Sequence, residues 1–288
     1  MASRNSHTFN NAKSEGTQAA RKAARSPWVS ALTRLGFAAR GIVYGLVGIL
    51  AIQVAIGGRG GQITNQQGAL NTLAQQPGGR ILLIVIAVGL AGYALWGLIR
   101  AALDPLHKSS DSKGILARAG YLISAFSYGA LVIPTVQLIT RHPGGQGGSA
   151  SQRTTSNLLT VSWGPWVVGA IGLAIIASSL AQISHGWQAD FEMQFNSYAL
   201  NARQRRWATR LGRFGYIARG IVFAIVGLFL FQAALYRDPN QVIGIDGALQ
   251  ELVRQPYGTL LLGIVAAGLI AFGAYSLLGA AWFRLKKE

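Results

Sequence analysis

Arg34-Leu35-Gly36-Phe37, Arg118-Ala119-Gly120-Tyr121 and Arg213-Phe214-Gly215-Tyr216 are three statements of one pattern, and their reading decides the fold. Each opens a long apolar run, and a glutamine stands at the same offset in every run: Gln53, Gln137 and Gln232. A second apolar run follows a connection each time. Recurrence at this period marks one supersecondary unit used repeatedly. The unit reads as a pair of membrane-spanning helices. The sequence therefore predicts an all-α, polytopic membrane protein with six transmembrane helices in three two-span repeats.

Working outward from those stretches, a basic cytoplasmic tail without order occupies 1–33. Repeat 1 covers 34–104 with spans 37–56 and 81–103, and a cytoplasmic linker covers 105–117. Repeat 2 covers 118–190 with spans 119–140 and 163–183, followed by a second cytoplasmic linker at 191–212. Repeat 3 covers 213–285 with spans 214–236 and 259–283. Each span is near the ~20 residues that a bilayer core requires. Units of two spans all face the same way, so the repeats are parallel and related by an axis along the membrane normal. Three of them predict a pseudo-threefold arrangement.

Composition agrees. Hydrophobic residues make up 51% and charged residues only 12% of the 288, against about 25% charge in a soluble domain. Such a chain cannot cover itself with polar surface. It has 37 glycines, 18 of them within the six predicted spans, where they let helix backbones approach closely in lipid. Cysteine is absent, which removes disulfides, thiolate metal sites and cysteine nucleophiles.

A net charge of +17 suggests a nucleic-acid partner until its distribution is read. Lys and Arg number 6 ahead of the first span, 3 between spans two and three, 5 between spans four and five and 3 at the C-terminus. The other three connections hold 2 each. This is the positive-inside bias, and it places both termini in the cytoplasm. No nucleic-acid partner is expected. The expected surroundings are the bilayer and anionic lipids at its cytoplasmic face, together with a membrane-protein partner or further copies of the chain.

Repeat 3 shows the unit most clearly. After its first span comes Asp246-Gly247-Ala248-Leu249-Gln250-Glu251-Leu252-Val253-Arg254, stopped by Pro256. Asp246 reads as the N-cap, and Leu249, Leu252 and Val253 share one face. This predicts a two-turn amphipathic helix on the outer surface. Repeat 1 matches it with 68–74 and Pro77, whereas the central repeat keeps only Asn157-Leu158-Leu159. Small residues spaced by four recur at one offset: Gly41/Gly45, Ala125/Gly129 and Gly220/Ala224. Helix packing through these pairs is expected.

Gly244-Ile245-Asp246-Gly247-Ala248-Leu249, Gln255-Pro256-Tyr257-Gly258 and the run from Gly268 to Leu277 resemble a bacterial membrane family known as domain of unknown function 1206. Ala218-Arg219-Gly220-Ile221-Val222-Phe223 and Ala39-Arg40-Gly41-Ile42-Val43-Tyr44 extend the resemblance, which is specific in the outer repeats and weak in the central one. Ser124 stands there where the others have Arg. The resemblance implies six spans in a prokaryotic plasma (inner) membrane and brings no catalytic residue.

Metalloprotease, nucleophile-elbow and P-loop motifs are all missing, and the four histidines lie in the tail, loops or a span end. No cofactor and no metal are expected, and the chain is not expected to be an enzyme. All nine acidic residues fall outside the spans, so a pump coupled through buried carboxylates is not expected. Arg40 and Arg219 enter the spans near their inner ends, where such side chains can snorkel to head groups or hold a lipid phosphate or an anionic solute. Gln53, Gln137 and Gln232 form either interhelical bonds or a polar ring at the outer third. Pro134 frees the carbonyl of Ala130 and marks an expected kink. The leading functional expectation is a small transport or channel-like protein. Its rival is a non-catalytic assembly or envelope-stress component that binds another membrane protein through glycine-rich helix faces.

Overall fold

Away from water a backbone must satisfy its own hydrogen bonds, so long apolar runs become helices. In a computed structural model they do. It describes residues 27–58, 61–103, 112–140, 155, 157–189 and 201–282. The helices are α1 (Pro27–Ala55), α2 (Gln66–Ala74), α3 (Gly79–Leu103), α4 (Ser112–Thr140), α5 (Gly164–Gln188), α6 (Ala202–Tyr236), α7 (Ile245–Arg254) and α8 (Gly258–Trp282). Six of them, α1, α3, α4, α5, α6 and α8, are long and apolar enough to cross a membrane. Most of the tail and much of both linkers lie outside the described residues, as do His7, His107 and His142.

Three helices start well before their predicted spans, α4 among them, at Ser112. α1 begins at Pro27, and α6 begins at Ala202 within the stretch read as linker. The basic face of Arg203, Arg205, Arg206 and Arg210 continues the helix beyond its apolar part. Asn201 starts α6 with a capping box, its backbone N–H donating to Gln204 Oε1 at 3.1 Å.

Small residues set the helix contacts. A side chain at Gly41 would meet the carbonyl oxygen of Gly273 and Leu277 Cγ on α8, each at 2.8 Å. One at Gly97 of α3 would meet Ala125 of α4 at 2.9 Å, and one at Gly220 of α6 would meet Ile183 of α5 at 2.6 Å. The first member of each small pair thus faces the second span of a neighbouring repeat, not another first span.

The second member of each pair departs from expectation. At Gly45 a side chain would meet nothing within 4 Å, although its backbone lies under Gly273. At Gly129 it would touch only Ala94 of α3, at an ordinary 3.8 Å. Ala224 is only half-buried. Close packing resumes one turn later in the outer repeats. A side chain at Gly48 would meet the Ala266 carbonyl oxygen at 2.8 Å, and one at Gly227 would meet Ile176 at 2.9 Å and the Gly172 carbonyl oxygen at 3.1 Å. Side chains are therefore excluded at Gly41 with Gly48 and at Gly220 with Gly227, whereas Gly45 lends only its backbone to the contact with Gly273, and Gly129 and Ala224 lie off the tight line. Helix geometry explains the correction. Seven residues return to within about 20° of the same face, whereas four overshoot by about 40° and leave the contact line.

Within repeats a second contact forms. Gly36 of α1 sits against Tyr93 and Gly89 of α3, and Gly215 of α6 sits against Phe272 of α8. The central repeat departs from this. Gly120 of α4 faces open space, and Gly172 of α5 turns to Phe231 and Gly227 on α6. Helices α4 and α5 consequently do not pack on each other as the outer pairs do.

The short helices α2 and α7 each turn one face into the core, and α7 keeps Gln250 and Arg254 exposed on the other. Ala69 and Leu70 of α2 and Ala248 and Leu249 of α7 are fully enclosed and belong to the same core cluster as the spans. Asn65 caps α2, its side chain accepting from the Gly68 N–H at 3.0 Å. The N-cap of α7 is Gly244, not Asp246, which falls in the first turn. Residues 157–159 are helical, the central repeat's remnant of this element. α4 runs through Pro134 without a break, and the neighbouring Thr135 hydroxyl donates to the Leu131 carbonyl at 2.6 Å.

Candidate functional site

The functional side chains are placed by the glycine contacts just described. Gly215 lets α6 lie directly on α8 at Phe272, and Gly36 lets α1 lie on α3 at Tyr93. Aromatic rings fill the space between. Phe37 meets Tyr93 edge to face at 5.5 Å, Tyr93 meets Tyr128 at 4.7 Å, and Phe272 meets both Tyr44 at 5.0 Å and Tyr216 at 5.3 Å. Tyr216 continues to Tyr275 at 5.6 Å. Five of the six long helices contribute to this network; α5 does not.

Arg40 points into it. Its guanidinium carbon lies 4.9 Å from the Phe37 ring centre, 5.2 Å from Tyr93 and 4.8 Å from Phe272. Nη1 donates to the Tyr93 hydroxyl at 2.8 Å and Nε to Ser276 Oγ at 3.2 Å, while Ser276 donates to the Phe272 carbonyl at 2.8 Å. Arg40 is 4% exposed. Its side chain is held among these rings, about 14 Å along the helix from Ala31, where the apolar stretch of α1 begins.

Arg219 is half-buried and approaches from α6. Its guanidinium carbon lies 5.2 Å from Tyr44, 5.1 Å from Phe223 and 4.9 Å from the same Phe272 ring. Among the described residues the one ion pair is Arg254 with Glu251. The two arginines therefore hold positive charge among apolar helices without a described carboxylate partner. Three enclosed donor atoms in this network have no hydrogen-bond partner among the described residues: Arg40 Nη2, Arg219 Nε and the Tyr128 hydroxyl.

The comparisons with known proteins agree with the repeat pattern. The family model described as Domain of Unknown Function (DUF1206) matches residues 35–104, 119–189 and 214–282. The chain belongs to that family. It is also similar to an uncharacterized protein, YxxB, of Bacillus subtilis (strain 168), with 34% identity over 252 residues, covering 88% of this chain and 90% of the relative. No solved structure matches.

In this DUF1206 chain the three matched segments are the three repeats, and the arginine pair takes equivalent places in the first and third. Aromatic residues stand one turn beyond: Tyr44, Tyr128 and Phe223 share one offset in the three repeats. That recurrence was readable in the sequence. A search for polar residues alone passes over it, because rings in an apolar run look like core.

The glutamine triplet is not brought into a comparable site. Gln53 and Gln232 are half-buried, Gln137 is exposed, and none of the three side chains bonds a described residue. The expected interhelical bonds are therefore not formed within the described chain. Glutamine does enter the network elsewhere, since Gln66 Nε2 at the start of α2 donates to the Tyr44 hydroxyl at 3.2 Å. His185 is exposed near the end of α5, and the described residues hold no cluster of metal ligands.

Proposed function

We propose that the chain is a small transport or channel-like protein of the prokaryotic inner membrane, that both termini are cytoplasmic, and that its solute is anionic. One observation carries the reading: Arg40 is enclosed among apolar helices with an unpartnered nitrogen, Arg219 beside it, and no described acid paired to either. An ionisable side chain at such depth costs at least ~2.5–3.5 kcal/mol at a helix centre and marks a functional site by default.

A structural reading of the pair also exists. Each ring contact offers about 0.5–2 kcal/mol, so three rings and two hydrogen bonds can hold Arg40 in place. That account leaves the three idle donors unexplained, and an anion explains them. Support for three units about an axis normal to the membrane comes from the repeated contact of Gly41, Gly97 with Ala125, and Gly220. The displaced pair α4 and α5 departs from that symmetry.

The rival role, docking on another membrane protein through glycine faces, has less surface to work with. Gly41, Gly48, Gly220, Gly227 and Gly273 are already occupied by helices of this chain. Purified protein in sealed liposomes tests the transport reading. Chloride, phosphate or sulfate should cross with the protein and not without it, and flux should collapse in Arg40→Met. Absence of flux for all three anions, in folded protein, would overturn it.

A further inference from the structure

We infer that Arg40, Tyr128 and Arg219, one residue from each repeat, form a binding site for a single tetrahedral oxyanion of the phosphate or sulfate class. The inference rests on the anionic reading of the arginine pair and adds the third donor and the ligand chemistry. Tyr128 is 4% exposed, and its ring meets Tyr93, the same residue whose hydroxyl accepts from Arg40. Its own hydroxyl is enclosed and has no partner among the described residues. A buried hydroxyl left unbonded is costly, and so is an unbonded guanidinium nitrogen. Three such atoms in one aromatic network, on α1, α4 and α6, point to a missing common acceptor.

The chemistry of that acceptor follows from charge and direction. Both guanidiniums lack a described carboxylate, so two positive charges stand uncompensated, and a divalent anion neutralises them together. The two guanidinium carbons lie 4.8 and 4.9 Å from the same Phe272 ring centre, which limits their separation to about 10 Å, a span the proposed anion bridges only if both stand on one side of the ring. A flat carboxylate is satisfied by the fork of one arginine. Donors arriving from three separate helices suit an acceptor with oxygens in several directions. The central repeat replaces the third Arg by Ser124 and presents Tyr128 one turn later, so the site has two charges and a neutral hydroxyl. Short helix α2 adds to this, because its first residue, Gln66, bonds Tyr44 beneath Arg219. Its positive dipole end thereby comes toward the network.

A phosphate group can reach the site as a free ion or as a lipid head group, and the two sources separate experimentally. Full-length protein in detergent is titrated with inorganic phosphate, with sulfate, and with chloride at equal ionic strength, while melting is followed. Native mass spectrometry of the same preparation reads co-purified phospholipid. For a free ion, phosphate and sulfate should raise the melting temperature saturably, chloride should not, and Tyr128→Phe should weaken the effect about tenfold. For a lipid, a phospholipid should co-purify and be lost in Tyr128→Phe. Arg219→Lys keeps the charge should Arg219→Gln not fold, and its weaker phosphate response would again support the site. Stabilisation by phosphate that is unchanged in both Tyr128→Phe and Arg219→Lys overturns the proposal, as does neither stabilisation nor bound phospholipid. Binding without liposome flux would leave the site and remove the transport role; flux that ignores Tyr128→Phe, without phosphate binding, would do the reverse.

Discussion

Arg40 of α1 and Arg219 of α6 share one ring, Phe272 of α8, at 4.8 and 4.9 Å. Two like charges do not gather about one ring for stability alone. Replacing a buried ionic group by an apolar one of similar length is often neutral or stabilising by about 1–4 kcal/mol. Arg40→Met should therefore melt at or above the wild-type temperature while losing anion flux. Tyr93→Phe should do the opposite. It strips Arg40 Nη1 of its acceptor at 2.8 Å and keeps the charge, at a cost of about 1–3 kcal/mol. Melting curves of the two variants in one detergent compare these effects, and a strongly destabilised Arg40→Met would favour a purely structural arginine.

Glycine positions should divide sharply. A methyl at Gly273 would sit 2.7 Å from the Gly41 carbonyl oxygen and 2.9 Å from the Gly45 nitrogen, both backbone atoms that cannot swing aside. Gly273→Ala should force α1 and α8 apart, at a cost of about 1–3 kcal/mol for overpacking. Gly45→Ala meets nothing within 4 Å and should be neutral or gain up to about 1 kcal/mol in helix propensity. Equal thermal shifts for the two would contradict the packing.

The repeat and the six long apolar helices were legible because both rest on local pattern: an apolar run, a small pair at one offset, a terminating Pro77 or Pro256. Partners were not legible. Gly41 and Gly220 announce close packing but not which helix arrives, and the structure supplies a second span each time. Nor does a spacing of four say how far the contact line follows the helix, which is why Gly45, Gly129 and Ala224 fall beside it while Gly48 and Gly227 lie on it. The surroundings of Arg40 were not legible either, since α1 begins at Pro27 and carries the residue farther from the helix start than the span 37–56 implied. Tyr44, Tyr93 and Tyr128 escaped notice because an aromatic residue in an apolar run has the same local signature whether it fills core or cages a cation.

Enclosure of the short helices carries its own expectation. Leu70 and Leu249 are fully buried, on the faces that α2 and α7 turn into the core. Leu70→Ala and Leu249→Ala should each cost about 2–5 kcal/mol, the range for cavities in packed cores. Leu260, 63% exposed on α8, should tolerate the same change with little loss. Similar small effects at all three would contradict that burial.

Orientation is open to a direct test because the chain has no cysteine, so single cysteines report without background. Gly61 is a poor site: a side chain there would meet the Val54 nitrogen at 2.6 Å. Gln76, exposed just after α2, and Ala202, exposed at the start of α6, are better placed. The charge bias puts the connection holding Gln76 outside and the basic start of α6 inside. In intact cells a membrane-impermeant maleimide should label Gln76→Cys and spare Ala202→Cys, and permeabilised cells should label both. Labelling of Ala202→Cys alone in intact cells would invert the protein in the membrane.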